Sequence, residues 1–323
     1  MTSTPAPLLC PDFVQLQQED PAAVRAELAS DLQASAAVLQ PKYLYDALGS
    51  RLFAAITELP EYYPTRTEAS IFARHASDMA ALLPAGLTLV DLGAGNCEKA
   101  ARLFDLLCPA RYVAVDISVD FLRATLQSLQ RQHPALPMVG VGMDFSSQLS
   151  LPAQAGDGPR LLFYPGSSIG NFSPAQALTF LRQVRQASQG GGLLIGVDLV
   201  KPSAVLEPAY DDALGLTAAF NRNLLLHVNR LLGSDFAVGQ WRHRALYNAQ
   251  QARIEMYLDA RQDLTVRWPG AQRTFRQGES IHTENSYKYT PDRFETLLRA
   301  AGFSRQAQWC DPQDWFAVWL AQP

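Results

Sequence analysis

Hydrophobic and polar positions follow two rhythms along the chain. Between residues 87 and 199, short apolar and β-branched runs (87–92, 111–118, 138–145, 161–164 and 193–199) alternate with segments of helical spacing (98–107, 119–131 and 175–187). Runs with no polar face fit strands covered on both sides. Their alternation with helices predicts a parallel sheet flanked by helices. Ser173 and Pro174 mark one helix start, as an N-cap and a first-turn proline. Beyond residue 199 the rhythm changes. A long helical stretch (204–232) precedes short runs at 241–248, 253–260, 263–267 and 273–276, which read as an antiparallel insertion. A helix at 291–301 and strands near 304–309 and 315–321 then return to the first sheet and close it.

The N-terminal part is less regular. Residues 1–40 are rich in Pro, Gln and Ala, with one or two amphipathic helices between 22 and 39; an aromatic-rich segment (41–64) and a helix (68–83) follow. The expected architecture is α/β: a Rossmann-like domain from 65–200 plus 289–323, and a second α+β domain from 1–64 plus 201–288. A substrate would lie in the cleft between them.

Residues 87–99 read Leu-Thr-Leu-Val-Asp-Leu-Gly-Ala-Gly-Asn-Cys-Glu-Lys. Strand, glycine loop and helix are how a Rossmann-type fold brings its backbone close to a nucleotide-like ligand. A dinucleotide site has a third glycine three residues after the second, and here that residue is Glu98. A carboxylate would repel a pyrophosphate but not a cationic, phosphate-free cofactor, which points to S-adenosylmethionine (SAM). Asp116 follows the glycines by about 20 residues, the spacing of an acid that grips ribose hydroxyls. Asp144 and Phe145, ending the third strand, could take the adenine amino group and ring. The plainer alternatives are a helix cap, a turn residue and core packing; order and spacing favour the cofactor.

Candidate substrate residues lie elsewhere. Asn171 follows the fourth strand, at the edge where parallel sheets present ligands, and its amide both donates and accepts. Tyr45, Tyr62, Tyr63 and Tyr210 stand in turn-like surroundings; their hydroxyls could bind a carboxylate and their rings a methylated cation. In the polar run 281–289, period two puts Glu284 and Ser286 on one strand face. A carboxylate beside a hydroxyl suits a ligand with two ring nitrogens, although Lys288 on that face could instead pair with Glu284.

Composition removes other classes. A net charge of −4 with no dense basic run argues against charge-driven nucleic-acid binding, and no apolar run is long enough to span a bilayer. Neither a signal peptide nor a metal-ligand spacing of histidines is visible, so a cytoplasmic, monomeric, metal-free protein is expected. The four cysteines are scattered, as reduced thiols are. Cys97 lies inside the glycine loop, where an alkylating reagent is expected to block the site.

Several stretches in fixed order carry a resemblance: 41–50 (Pro-Lys-Tyr-Leu-Tyr-Asp-Ala-Leu-Gly-Ser), 59–68 (Leu-Pro-Glu-Tyr-Tyr-Pro-Thr-Arg-Thr-Glu), 166–171 (Gly-Ser-Ser-Ile-Gly-Asn) and 283–288 (Thr-Glu-Asn-Ser-Tyr-Lys). From about residue 30 onward the chain resembles the histidine Nα-methyltransferases of ergothioneine biosynthesis, SAM-dependent enzymes that make hercynine (histidine betaine). The resemblance implies that Gly93, Lys99, Asp116, Asp144 and Phe145 line the SAM site. It implies that Tyr62, Asn171 and Tyr210 fix the substrate carboxylate, with Gly166 and Asn171 near the α-amino group. Tyr45 would border the amine, Glu284 and Ser286 would hold the imidazole, and Met256 would pack against it. Tyr45 and Asn171 are the implied catalytic residues, with Tyr45 or water taking the amine proton. Asn96-Cys97 and Tyr164-Pro165 depart from the family's residues at those places. Two rivals stay open: an N-methyltransferase for another amino acid such as tryptophan or tyrosine, and a non-catalytic SAM-binding protein.

Overall fold

Residues 88–92 form a strand because Leu89, Val90 and Leu92 are buried on alternate faces of one sheet, each face covered by its own helices. The computed structural model describes residues 9–16, 20–117 and 119–323, without the side chains of 119–121. The sequence readings on residues 1–8 and on Ser118 therefore lie outside the described residues.

The chain opens with β1 (Asp12–Gln15), α1 (Pro21–Gln33), β2 (Ala37–Val38), α2 (Ala47–Ile56) and α3 (Tyr63–Ala81). The alternating part follows: β3 (Thr88–Leu92), α4 (Glu98–Ala101), α5 (Phe104–Leu107), β4 (Arg111–Asp116), α6 (Val119–Gln132), β5 (Met138–Gly142), β6 (Arg160–Tyr164), α7 (Pro174–Ala187) and β7 (Gly192–Asp198). Next come α8 (Ser203–Leu206), α9 (Leu216–Leu232), β8 (Trp241–Asn248), β9 (Arg253–Ala260), β10 (Leu264–Trp268), β11 (Ala271–Phe275) and β12 (Ser280–Tyr287). The chain closes with α10 (Pro291–Ala300), β13 (Arg305–Cys310) and β14 (Phe316–Gln322).

Eight strands make the main sheet in the order β1-β5-β4-β3-β6-β7-β14-β13, with β14 antiparallel to both β7 and β13. β3 pairs in parallel with β4 on one side and β6 on the other. The strand order therefore reverses at β3, and a crevice opens beyond the carboxyl ends of β3 and β6, where such sheets bind ligands. This is the Rossmann-like α/β fold expected, with its closing antiparallel pair. One core packs α7 and α10 on one face, through Phe180, Leu181, Val184, Phe294 and Leu298. The other face is covered by α3 and α6, through Ile71, Met79 and Leu126. The edge strand β1, not anticipated, pairs in parallel with β5.

A second sheet, β2-β12-β9-β8, packs with α1, α2 and α9 around a separate core that includes Leu224, Leu225, Trp241 and Met256. β10 and β11 form a small hairpin of their own. Two sequence expectations fail locally. The helix expected at 98–107 is broken into α4 and α5. The stretch 204–232 is interrupted because Pro208 enters a single 3-10 turn and Gly215 takes a left-handed φ of 75° ahead of α9.

Candidate active site

The glycine loop after β3 works through its backbone. Gly93 and Gly95 adopt φ of 73° and 53°, a region open to glycine at little cost. Gly93 and Ala94 both donate their N–H to the Val115 carbonyl, and Gly95 donates to Asp116 Oδ2 at 3.0 Å. A Cβ added to Gly93 would sit 3.8 Å from Phe145 Cζ, so the missing side chain keeps a slot open beneath that ring. Asp144 accepts from the Ser146 N–H at 3.0 Å and thereby shapes the turn that presents Phe145. Gly93, Asp116, Asp144 and Phe145 thus gather at the carboxyl ends of β3, β4 and β5. An acid on β4 and a ring beside a glycine slot fit the ribose and adenine of SAM.

Cys97 needs correction. It is buried with a left-handed φ of 60°, and burial together with the nearby Asp91 carboxyl pushes its thiol up to about 12. Such a thiol is inert near neutral pH, so alkylation is not a route to the loop.

A cavity opens next to this edge, lined by Tyr45, Tyr62, Gly166, Asn171, Tyr210, Met256, Glu284 and Ser286 together with Phe53 and Phe220. Every substrate residue named from the sequence except Tyr63 therefore reaches one space, from both halves of the molecule; Tyr63 is buried and gives its hydroxyl proton to Asp198 instead. Gly170 permits the approach of those halves: a Cβ there would stand 2.8 Å from the Tyr287 carbonyl, so only glycine lets the 166–171 loop lie on β12. Lys99 links the two ligand regions. Its ammonium donates to Glu68 Oε2 at 2.7 Å, and Gly166 donates its N–H to Glu68 Oε1 at 2.7 Å.

β12 carries a register shift between His282 and Glu284. Ile281 faces the core and His282 the other side; after the extra residue Glu284 faces inward, opposite Met256. Glu284 and Ser286 share the cavity face as period two predicts, while His282 is on the other. The Glu284 side chain is buried, and its Oε2 has no hydrogen-bond partner. Burial pushes its carboxyl from the ordinary 4.5 up to about 7, against the opposing pull of Lys288. A buried carboxylate oxygen without a partner is costly, and a donor brought by a ligand would relieve that cost.

The aromatic side of the cavity is densely packed. Tyr45 lies edge-on to Phe53 and Phe220 with ring centroids 5.6 and 5.5 Å away. Burial, reinforced by the Glu284 charge, raises its hydroxyl well above its usual value, so it remains a phenol near neutral pH. Burial does the same for Tyr62 and Tyr210.

Lys288 is not paired with Glu284. It is ion-paired to Asp198 at the end of β7, with Nζ 2.7 Å from Oδ2, and donates to Tyr210 and Ser286. Sequence reasoning missed Glu68, Asp198 and Lys201. Asp198 alone left a signal, as an acid closing an otherwise apolar run. Among the described residues no group of three or more His, Cys, Asp or Glu is placed to hold a metal. Among them no helix is long and apolar enough to cross a membrane.

With this geometry in place, comparison with known proteins is informative. A family model described as histidine-specific, SAM-dependent methyltransferase matches residues 24–323. The chain is 40% identical to the histidine N-alpha-methyltransferase of Mycolicibacterium smegmatis, over 93% of this chain and 94% of that one. It is 41% identical to the protein of that name from Mycobacterium tuberculosis, with the same coverage. Ergothioneine biosynthesis protein 1 of Neurospora crassa is 31% identical over 82% of this chain, which spans 31% of that longer protein.

Proposed function

The chain belongs to the histidine-specific, SAM-dependent methyltransferase family, and on that premise we propose how its cavity holds histidine for methylation. The protein is a SAM-dependent N-methyltransferase that transfers three methyl groups to the α-amino nitrogen of L-histidine, a step of ergothioneine biosynthesis. In the proposed arrangement Gly93, Lys99, Asp116, Asp144 and Phe145 hold the cofactor at the strand edge. When bound there, SAM supplies a methyl group on a cationic sulfur. Tyr62 and Asn171 hold the substrate carboxylate with Tyr210 bordering it, and Gly166 and Asn171 orient the amine. Orientation is most of the task, because the leaving group is good and the enzyme mainly has to align a neutral lone pair. An α-ammonium, whose reference pKa is about 8 in peptides, must first lose its proton. Tyr45 stays protonated, so it passes that proton on through its hydroxyl to water and does not keep it. The rings of Tyr45, Phe53 and Phe220 tolerate the growing quaternary cation.

The observation carrying the substrate assignment is the unpartnered Glu284 oxygen, two residues from the Ser286 hydroxyl and opposite Met256. Glu284 accepts the imidazole N–H, Ser286 serves the other ring nitrogen, and Met256 packs on the ring. We also propose the division into a SAM domain (65–200 plus 289–323) and a substrate domain (1–64 plus 201–288), and a cytoplasmic monomer. The free cysteines agree with a reducing compartment, and sedimentation velocity checks the monomer. The test of function is S-adenosylhomocysteine release across a panel of amino acids. Histidine should be turned over fastest, with three equivalents released per histidine. Faster turnover of tryptophan or tyrosine would overturn the pocket assignment, and no turnover of any amino acid would overturn the enzyme.

A further inference from the structure

A buried charged cluster touches the cavity at Tyr210 and Ser286. Lys288 directly follows β12, Asp198 ends β7, Lys201 follows three residues later, and Tyr63 starts α3. Lys201 lies 2.6 Å from Asp198 Oδ1, and Tyr63 donates its hydroxyl to Asp198 at 2.7 Å. Burial alone would raise the Asp198 carboxyl, but the two ammonium groups outweigh it and hold it below its usual value. Lys288 Nζ stands 2.7 Å from Asp198 Oδ2 and 2.8 Å from each of Tyr210 OH and Ser286 Oγ. Those two hydroxyls are 2.8 Å apart.

Proton arithmetic gives this triangle a direction. An ammonium has protons and no lone pair, so both hydroxyl oxygens must accept from Lys288. Each hydroxyl has one proton. The short contact between them uses one of the two, and the other is left to point away from Lys288, towards the cavity that both residues line. We propose that Lys288, clamped by Asp198, is a positioning residue that leaves the Tyr210–Ser286 pair as a net hydrogen-bond donor to the substrate, beside the acceptor Glu284. An acceptor and a donor on one strand face suit a neutral imidazole, which has one N–H and one bare nitrogen. The inference rests on the reading that histidine occupies this cavity.

Lys288 is also the cation that pulls against the burial of Glu284. The other titratable groups facing this pair are Tyr45 from the turn before α2, Tyr62 and Tyr63 from the start of α3, and Tyr210 from the turn after α8. Asp198 and Lys201 face it from the end of β7, and Tyr247 from β8.

The test is Lys288→Met, which keeps length and removes the cation, assayed with L-histidine across pH 6 to 9. The KM for histidine should rise about tenfold, the size of one lost charge-assisted hydrogen bond, with kcat changed far less. The acidic limb of kcat/KM should move to higher pH, because Glu284 loses its neighbouring cation. S-adenosylhomocysteine affinity should hold within about twofold, which loss of general packing would not allow. Lys288→Arg keeps the charge and misplaces the donors. It should keep the limb and still raise KM, and it serves where Lys288→Met does not fold. A wild-type KM in either variant overturns the inference, as does an unmoved limb in Lys288→Met. If the wild-type protein methylates another amino acid in preference to histidine, the histidine reading fails on its own evidence, separately from Lys288.

Discussion

Asp116 and Glu284 are both carboxylates at ligand-facing ends of strands, yet the molecule treats them in opposite ways. Asp116 is half-buried and accepts from the Gly95 N–H, so the protein's own contacts shape the loop. Glu284 is buried, its outer oxygen is unpartnered, and its carboxyl is pushed up to about 7. The cofactor edge is preorganised backbone, whereas the substrate cavity stores an unmet polar demand. Such a demand discriminates strongly, because a ligand without the matching group leaves it unmet.

Breaking the comparison at its strained end should have the largest effect. Glu284→Ala should lower kcat/KM for histidine about 1,000-fold while S-adenosylhomocysteine affinity, followed by calorimetry, stays within about twofold. Equal loss of both would show the two regions to be one.

Next in size is a stability effect. Folding raises the Glu284 carboxyl from 4.5 to about 7, so its proton favours the folded state; that contribution is complete below pH 4.5 and is lost as pH rises through 7. Without ligands, Glu284→Gln should match the wild type in denaturant melts near pH 4.5 and exceed it by about 3 kcal/mol at pH 9.

Asp116→Ala shows the opposite pattern from Glu284→Ala. S-adenosylhomocysteine should bind about 30-fold more weakly, with the preference among amino acids unchanged. Smallest is the response of Cys97: iodoacetamide at pH 8 should label the exposed Cys10 and Cys108 and leave Cys97 and methyl transfer intact.

The same contrast explains what the sequence could convey. The cofactor edge depends on local order, with a strand, two glycines at positive φ and an acid on the next strand, so it is legible in a linear pattern. Glu284 and Ser286 were legible as a strand face, but the register shift that turns His282 away from them is set by pairing with β9, and no local signal marks it. The partner of Lys288 was not legible: Glu284 was only an alternative, and Asp198 is ninety residues away in sequence and meets it only when β7 and β12 come together. Pro208 and Gly215 did announce the break before α9, and helical propensity on either side obscured them. The break between α4 and α5 had no such marker, since Ala100, Ala101 and Leu103 all favour a helix and packing decides their turn.

The central claim is that Glu284 reads the imidazole of the substrate. Binding of L-histidine and L-phenylalanine to the S-adenosylhomocysteine complex, measured by calorimetry for the wild type and for Glu284→Ala, tests it most directly. The account predicts a strong wild-type preference for histidine that collapses in the variant, to a ratio within about tenfold. An unchanged ratio, with both ligands weakened alike, would contradict it.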